Sequence, residues 1–196
     1  RSPLALGWLC SRQAVTLARH KRELLALSHT DSLSGLLNHG AWKDHLDLEF
    51  QRCRRGPAGA AIALIDIDHF KTINDTYGHV TGDIVLRQLS KVLRQNLRTT
   101  DLAGRYGGDE FCVILPDMPL NRATEVMEAL RGRFNALAYA QDPTLRVSLS
   151  IGLAPYQPSH ADSISWLNDA DQALYEAKSS GRNRVSSVQG SWLRSV

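Results

Sequence analysis

Cysteine is scarce in this 196-residue chain: Cys10, Cys53 and Cys112 are odd in number, far apart and never form a C-x-x-C pair. That argues against a disulfide framework or a thiolate zinc site and fits a reducing compartment. No apolar run approaches the roughly 20 residues that a helix needs to span a bilayer. A dominant charge is also missing, since 23 Lys and Arg against 20 Asp and Glu leave only +3. The few aromatics do not interleave with a basic run, so nucleic acid is not the expected partner. Internal repeats and low-complexity tracts are absent as well, which excludes solenoids and linker-like polymers. What remains is a chain with 43% hydrophobic residues, enough for one compact domain plus a helix or a tail.

Periodicity places the elements. Residues 14–29 read as a helix with a loose apolar stripe through Leu17, Leu24, Leu25 and Leu27. Upstream, residues 3–10 read either as the end of a membrane segment or as the edge of a core. A second helix is expected over about 40–55, on Trp42, Leu46, Phe50 and Cys53, and Gly56-Pro57 stops it. The apolar run 60–68 reads as a buried strand. A polar, Gly-containing stretch then reaches Asp83, and a helix is expected over 83–97. Residues 102–115 read as two short strands around Gly107-Gly108, a hairpin in which the glycines supply the turn dihedrals. Further on, the pattern predicts a helix over 119–138, a strand over 145–153, a helix over 162–180 closed by Gly181, and a last strand over 184–188. The class is mixed α/β with an at least partly antiparallel sheet.

The chemistry concentrates at a few points. The apolar strand ends in Asp66 and Asp68, which the period of two places on one face. Asp109 and Glu110 stand beside the hairpin glycines, and if the two strands are neighbours, Asp66 and Asp109 converge. Carboxylates without His or Cys suit a hard cation such as Mg²⁺, which keeps few protein ligands and shares phosphate oxygens. Each pair alone reads equally as capping or turn acids, and the Gly-Gly alone as a tight turn. Lys178 and Arg182, four apart, match a phosphate chain or merely favour a helix C-terminus.

Read together, the motifs resemble one family. Gly107-Gly108-Asp109-Glu110-Phe111 is the GGDEF signature. Asp31-Ser32-Leu33-Ser34-Gly35-Leu36-Leu37-Asn38 is similar to the D-x-L-T-G-L-x-N opening of GGDEF-domain diguanylate cyclases. Asp66-Ile67-Asp68-His69-Phe70-Lys71 matches D-x-D-x-F-K. Asn74-Asp75 with Gly78-His79 and Gly82-Asp83 matches N-D-x-x-G-H-x-x-G-D. Ala177-Lys178 with Gly181-Arg182-Asn183 matches the closing A-K-x-x-G-R-N. Two departures are Ser34 where Thr is usual and His39 where Arg is common.

The resemblance implies an α+β, nucleotide-cyclase-like fold with a central, mostly antiparallel five-stranded sheet flanked by helices. It would divide the chain into an N-terminal signalling helix or linker over 1–30, a cyclase domain over 31–188 and a tail over 189–196. The implied reaction condenses two GTP into cyclic di-GMP with release of pyrophosphate, in a homodimer. Asp66, the Ile67 carbonyl and Asp109 would hold Mg²⁺, with Mn²⁺ as an alternative. Asn74 and Asp83 would read guanine, whose N–H donors face the carboxylate. Lys178 and Arg182 would grip the β- and γ-phosphates, with Lys71 as a helper, while Gly107 and Gly108 let the nucleotide lie against the hairpin. Asp109, Glu110 and Lys178 are the implied catalytic groups. Arg98 and Asp101 match the family's R-x-x-D inhibitory site for the product, with Arg105 as a further contact; by themselves they read as a helix-end Arg and a turn-starting Asp. The resemblance also implies a cytoplasmic domain with an upstream sensor or membrane region. The rival reading is a catalytically silent sensor of GTP or cyclic di-GMP, although such domains typically lose the acids or glycines retained here.

Overall fold

The computed structural model describes residues 29–140 and 142–188. The helix expected over 14–29 falls almost wholly outside these residues, as does the tail over 189–196.

Among the described residues the chain runs α1 (His39–Arg55), β1 (Ala60–Ile67), α2 (Phe70–Tyr77), α3 (His79–Asn96), β2 (Leu102–Arg105), β3 (Glu110–Pro116), α4 (Leu120–Asn135), β4 (Leu149–Pro155), α5 (Ser163–Ser179) and β5 (Arg184–Ser187). The five strands form one sheet in the order β2-β3-β1-β4-β5. Pairing is antiparallel throughout except for the parallel β4–β5 edge. This is the mostly antiparallel five-stranded sheet that the resemblance implies.

Strand β1 is central because it is apolar on both faces, with every residue from Ala60 to Ile65 buried. Its alternation divides the core. Ala61, Ala63, Ile65 and Ile67 pack with residues of α2, α3 and α4, including Leu89, Leu93, Met127 and Phe134. Ala60, Ile62 and Leu64 pack with α1 and α5, including Trp42, Phe50, Trp166 and Leu174. Continuing the second register, Asp66 emerges on the side of the sheet that α1 and α5 cover.

The helix ends are fixed locally. Asn38 caps α1 by accepting from the Ala41 N–H at 2.9 Å. Asp162 caps α5 in a reciprocal box with Ser165. Gly152 of β4 faces α5 so closely that a Cβ there would stand 2.2 Å from both the Ala170 carbonyl oxygen and the Leu174 nitrogen. The missing side chain lets α5 lie against the strand.

The structure revises the sequence reading in two places. The stretch before Asp83 is helical, as α2 and the first turn of α3, not an irregular connection. It buries little, since only Ile73 of α2 is buried, and Gly78, at φ 84°, turns one helix directly into the next. Strand β4 starts at Leu149 rather than 145, because its pairing partner β1 ends at Ile67 opposite Leu149.

Candidate functional site

The acids gather where β1 ends. Asp66 stands opposite Glu110 of β3 in one ladder and Ser150 of β4 in the other. One residue on, the Ile67 N–H donates to the Asp109 carbonyl at 3.3 Å, which pins the β2–β3 turn beside the end of β1. The strands are therefore neighbours, Asp109 comes beside the end of β1 as expected from sequence, and Glu110, opposite Asp66, joins them.

The cation comes from α5. Lys178 Nζ donates to Asp66 Oδ2 at 2.8 Å. Burial pushes the Asp66 carboxyl up from its ordinary value, Lys178 opposes this, and the negative charges of Asp109 and Glu110 push it up further; the net direction is upward. One lysine thus leaves the three carboxylates undercompensated. Among the described residues no cluster of three His, Cys, Asp or Glu side chains could hold a metal ion unaided. A divalent cation here would rest on Asp66, Asp109 and the Ile67 carbonyl and draw its remaining ligands from water or a ligand's oxygens. An all-oxygen set with excess negative charge fits Mg²⁺ or Mn²⁺.

The hairpin glycines act through space rather than through turn dihedrals. Positive φ among the described glycines is confined to Gly35, Gly78 and Gly181, so neither Gly107 nor Gly108 supplies the left-handed turn expected of them. A longer turn closes instead, with the Tyr106 and Gly107 N–H groups both donating to the Glu110 carbonyl. A Cβ on Gly108 would meet nothing within 4 Å, whereas one on Gly107 would stand 2.9 Å from the Glu110 carboxylate. Arg105 holds the turn from behind. It donates twice to the Gly108 carbonyl and pairs with Asp31 at 3.3 Å. Asp31 is partly buried, which works against its charge, yet the Ser34 hydrogen bonds and Arg105 bring its carboxyl below the ordinary range.

Asn74 and Asp83 lie on α2 and α3, the helices joined at Gly78. The Asn74 Oδ1 is buried without a hydrogen-bond partner among the described residues. An unpaired buried acceptor costs on the order of 1–3 kcal/mol, which a ligand donor would offset. Gly82 makes room for it, because a Cβ at that position would stand 1.9 Å from the same oxygen. Lys71 is exposed in the first turn of α2, one turn before Asn74.

Arg182 follows α5 in the left-handed region at φ 63°, and Asn183 follows it at 46°. The Arg182 N–H donates to the Ala177 carbonyl at 3.0 Å, which ties the turn to the last helical residues. Asp68 was paired with Asp66 by sequence, and the structure separates their roles. Both lie on the same side, but Asp68 is buried and accepts from Ser148 Oγ at 2.6 Å and Ser150 Oγ at 2.7 Å.

Arg98 and Asp101 occupy the α3–β2 turn, at the end of the hairpin away from Gly107. The length of β2, roughly 13 Å, separates the two ends. Arg98 Nη2 stands 2.7 Å from Asp101 Oδ1 and 2.8 Å from the Pro116 carbonyl. A cavity of about 340 Å³ beside them is lined in part by Asn96, Asp117, Met118 and Arg122. Arg105 does not join this pair; its contacts go to Asp31 and Gly108.

Comparison with known proteins gives a consistent result. The family described as "Diguanylate cyclase, GGDEF domain" matches residues 28–184. Probable diguanylate cyclase DgcC of Escherichia coli K12 is 42% identical over 183 residues, covering 93% of this chain and 49% of that protein. The response regulator PleD of Caulobacter vibrioides is 41% identical over 165 residues, 82% of this chain and 36% of its own. The chain thus spans about half the length, or less, of these curated relatives. Among solved structures, the GGDEF domain of DgcB from Caulobacter crescentus, in complex with c-di-GMP, superposes with a TM-score of 0.78 at 34% identity, covering 82% of this chain and 95% of that one. The coiled coil and GGDEF domain of the same protein, also with c-di-GMP, gives 0.80 at 30% identity, with coverages of 96% and 100%.

Proposed function

The chain belongs to the GGDEF domain family, and from that premise we propose that it is a diguanylate cyclase that joins two GTP into cyclic di-GMP. The observation that carries this reading is the single cluster at the end of β1, where Lys178 reaches Asp66 at 2.8 Å beside Asp109 and Glu110.

In the reaction, the 3′-oxygen of one GTP attacks the α-phosphorus of another, the bond to the leaving pyrophosphate breaks, and the attacking hydroxyl gives up its proton. A second, symmetric attack closes the ring, so two GTP yield one cyclic di-GMP and two pyrophosphates. Asp66, Asp109 and the Ile67 carbonyl would hold Mg²⁺ or Mn²⁺, which when bound supplies positive charge against the phosphate oxygens. Lys178 and Arg182 grip the β- and γ-phosphates, with Lys71 as an outer helper. Asp109 accepts the hydroxyl proton, and Glu110, opposite Asp66, adds negative charge beside it. Gly107 and Gly108 leave room for the ribose and α-phosphate.

Asn74 and Asp83 read the base. The orphaned Asn74 oxygen accepts from a guanine N–H, and the Asp83 carboxylate accepts from the remaining donors; adenine would face Asp83 with an acceptor. Gly82→Ala is expected to displace the Asn74 amide and weaken GTP binding about tenfold or more, while the helix around it remains folded. Equilibrium titration with GTP alongside circular dichroism checks both halves.

Each chain carries one such set of groups, so two domains face each other in the productive assembly, a homodimer positioned by the segment before residue 31. Upstream, a sensor or membrane region supplies the signal. Among the described residues no helix is long and apolar enough to cross a membrane. The test of the reading is product analysis after incubation with GTP and Mg²⁺ at several protein concentrations. Cyclic di-GMP with pyrophosphate supports it; GTP binding without turnover at any concentration overturns it in favour of a silent sensor.

Arg98 and Asp101 form the product-inhibition site. Their bidentate groups suit guanine and phosphate, and a ligand there would compete for the Arg98 bonds to Asp101 and Pro116. Arg98→Ala is expected to raise the cyclic di-GMP concentration for half-inhibition more than tenfold while initial turnover is kept. Rate measurements with added product check this, and unchanged inhibition would remove Arg98 from the role.

A further inference from the structure

We infer that Asp68 is a positioning residue: its buried carboxylate clamps the Arg182-Asn183 turn to the end of β1, which sets the phosphate-binding cations against the catalytic acids. The inference rests on the GTP-binding reading for its functional consequence, but the clamp itself is a matter of geometry.

Asp68 is 4% exposed. Each of its three side-chain partners is a donor. Oδ2 accepts from Ser148 Oγ at 2.6 Å and from the Asn183 N–H at 3.1 Å, while Oδ1 accepts from Ser150 Oγ at 2.7 Å. Its own N–H donates to the Ser148 carbonyl at 3.0 Å, which extends the β1–β4 ladder one step beyond the strand ends. The carboxylate is thus fixed to the same two strands that carry Asp66 and Ser150. Three protein donors take three of the roughly four acceptor sites of Asp68, whereas Asp66 accepts from Lys178 and keeps more of its capacity.

The partner that matters is Asn183. Arg182 and Asn183 are consecutive non-glycine residues in the left-handed region, at φ 63° and 46°. That conformation is unfavourable and persists only where surrounding contacts fix it. Several contacts converge here: the Arg182 N–H on the Ala177 carbonyl, Arg131 Nη1 on Asn183 Oδ1 at 2.7 Å, and the Asn183 N–H on Asp68. The first two tie the turn to α5 and α4. The Asp68 bond ties it directly to the strand end that bears the acids. It thereby sets Arg182, and through α5 Lys178, against Asp66.

The turn needs an acceptor at this point. In Asp68→Asn the amide oxygen still faces the Asn183 N–H and Ser148 Oγ while the NH₂ group donates to a rotated Ser150 hydroxyl, so the bond to Asn183 survives. Asp68→Ala removes every acceptor, and the Asn183 N–H then loses its bond.

The test compares Asp68→Ala and Ser148→Ala with the parent. Amide exchange at Asn183 is the first readout and does not depend on any nucleotide. It is expected to accelerate at least tenfold in Asp68→Ala and to stay within about threefold of the parent in Ser148→Ala, which keeps the Oδ2 acceptor for Asn183. Exchange in the middle of α5 and the far-ultraviolet circular dichroism should not change. The second readout is binding of GTP against GMP. Loosening the phosphate-binding turn is expected to weaken GTP by tenfold or more and GMP by less than twofold, and to raise KM more than it lowers kcat. Asn183 exchange that is unchanged in Asp68→Ala overturns the clamp. Faster exchange with parental GTP affinity overturns its positioning role. A parent that binds no GTP refutes the nucleotide reading and with it any positioning of phosphate cations, while the exchange result still decides the clamp.

Discussion

Asp109→Ala is expected to abolish cyclic di-GMP formation, lowering kcat by about a thousandfold or more, without lowering the thermal stability of the domain. The two halves of this result follow from the same electrostatics. Burial is the first cause that raises the Asp66 carboxyl, and the negative charge of nearby Asp109 adds to it, as like charges held together do. In the absence of a cation this proximity is unfavourable, so removing one charge relieves the fold rather than weakening it. The backbone contact that holds the turn, from the Ile67 N–H to the Asp109 carbonyl, does not involve the side chain and survives the substitution. On the proposed reading the reaction, in contrast, loses both a cation ligand and the group that takes the 3′-hydroxyl proton. Product analysis together with a thermal melt checks the pair of outcomes. Retained turnover would mean that Glu110 or Asp66 suffices. A large fall in Tm would mean that Asp109 is structural and that its charge is balanced by a partner outside the cluster.

Much of this site is legible in the sequence because strand periodicity carries it. The run from Ala60 to Ile65 must be buried on both faces, so the first acid after it, Asp66, has to mark the end of a central strand. Glu110 is not reached in the same way, since its place opposite Asp66 is set by the β1–β3 register rather than by the hairpin. Lys178 is harder, since its helical position says only that it lies on α5; the contact with Asp66 depends on how α5 crosses β4. The pairing of Asp66 with Asp68 was half legible. Period two fixes their common side, but the burial of Asp68 and its serine and Asn183 donors come from β4 and from the turn after α5, some 80 to 115 residues away. A serine on each side of Leu149 was the available signal, since Ser148 and Ser150 alternate into the sheet with Asp66 and Asp68. Helix α2 was illegible for the opposite reason. With only Ile73 buried and Phe70 packed partly on the core, its apolar stripe is short, and its position is set by Gly78 and by the close approach of Gly82 to Asn74. The hairpin glycines misled by the usual association of glycine with positive φ. Here the need is for empty space over the turn, which no dihedral preference reports.

Gly152→Ala is the substitution expected to cost most in stability, although it adds a single methyl group. The added Cβ would lie 2.2 Å from the Ala170 oxygen, 2.2 Å from the Leu174 nitrogen and 2.7 Å from the Leu174 Cα. These are backbone atoms in the middle of α5, so no rotamer change can relieve the overlap. Either the helix retreats from the sheet or β4 bends away from it. Both movements open the packing that Leu64, Ala154, Trp166, Ala170 and Leu174 share on that face. Overpacking of this kind costs at least about 3 kcal/mol, and for a domain of this size the Tm should fall by roughly 6–12 °C. The functional consequence follows from what α5 carries. A retreat of 1 Å or more at Leu174 moves Lys178, one turn further on, out of its 2.8 Å contact with Asp66. GTP affinity should therefore fall even at temperatures where the variant remains folded. Thermal melting and GTP titration at 15 °C separate the two effects. A variant with a parental Tm would show that α5 does not rest on Gly152. One that loses stability but keeps full GTP affinity would show that the position of Lys178 is held by the site itself, through Asp66 and the Arg182-Asn183 turn, rather than by the packing of its helix.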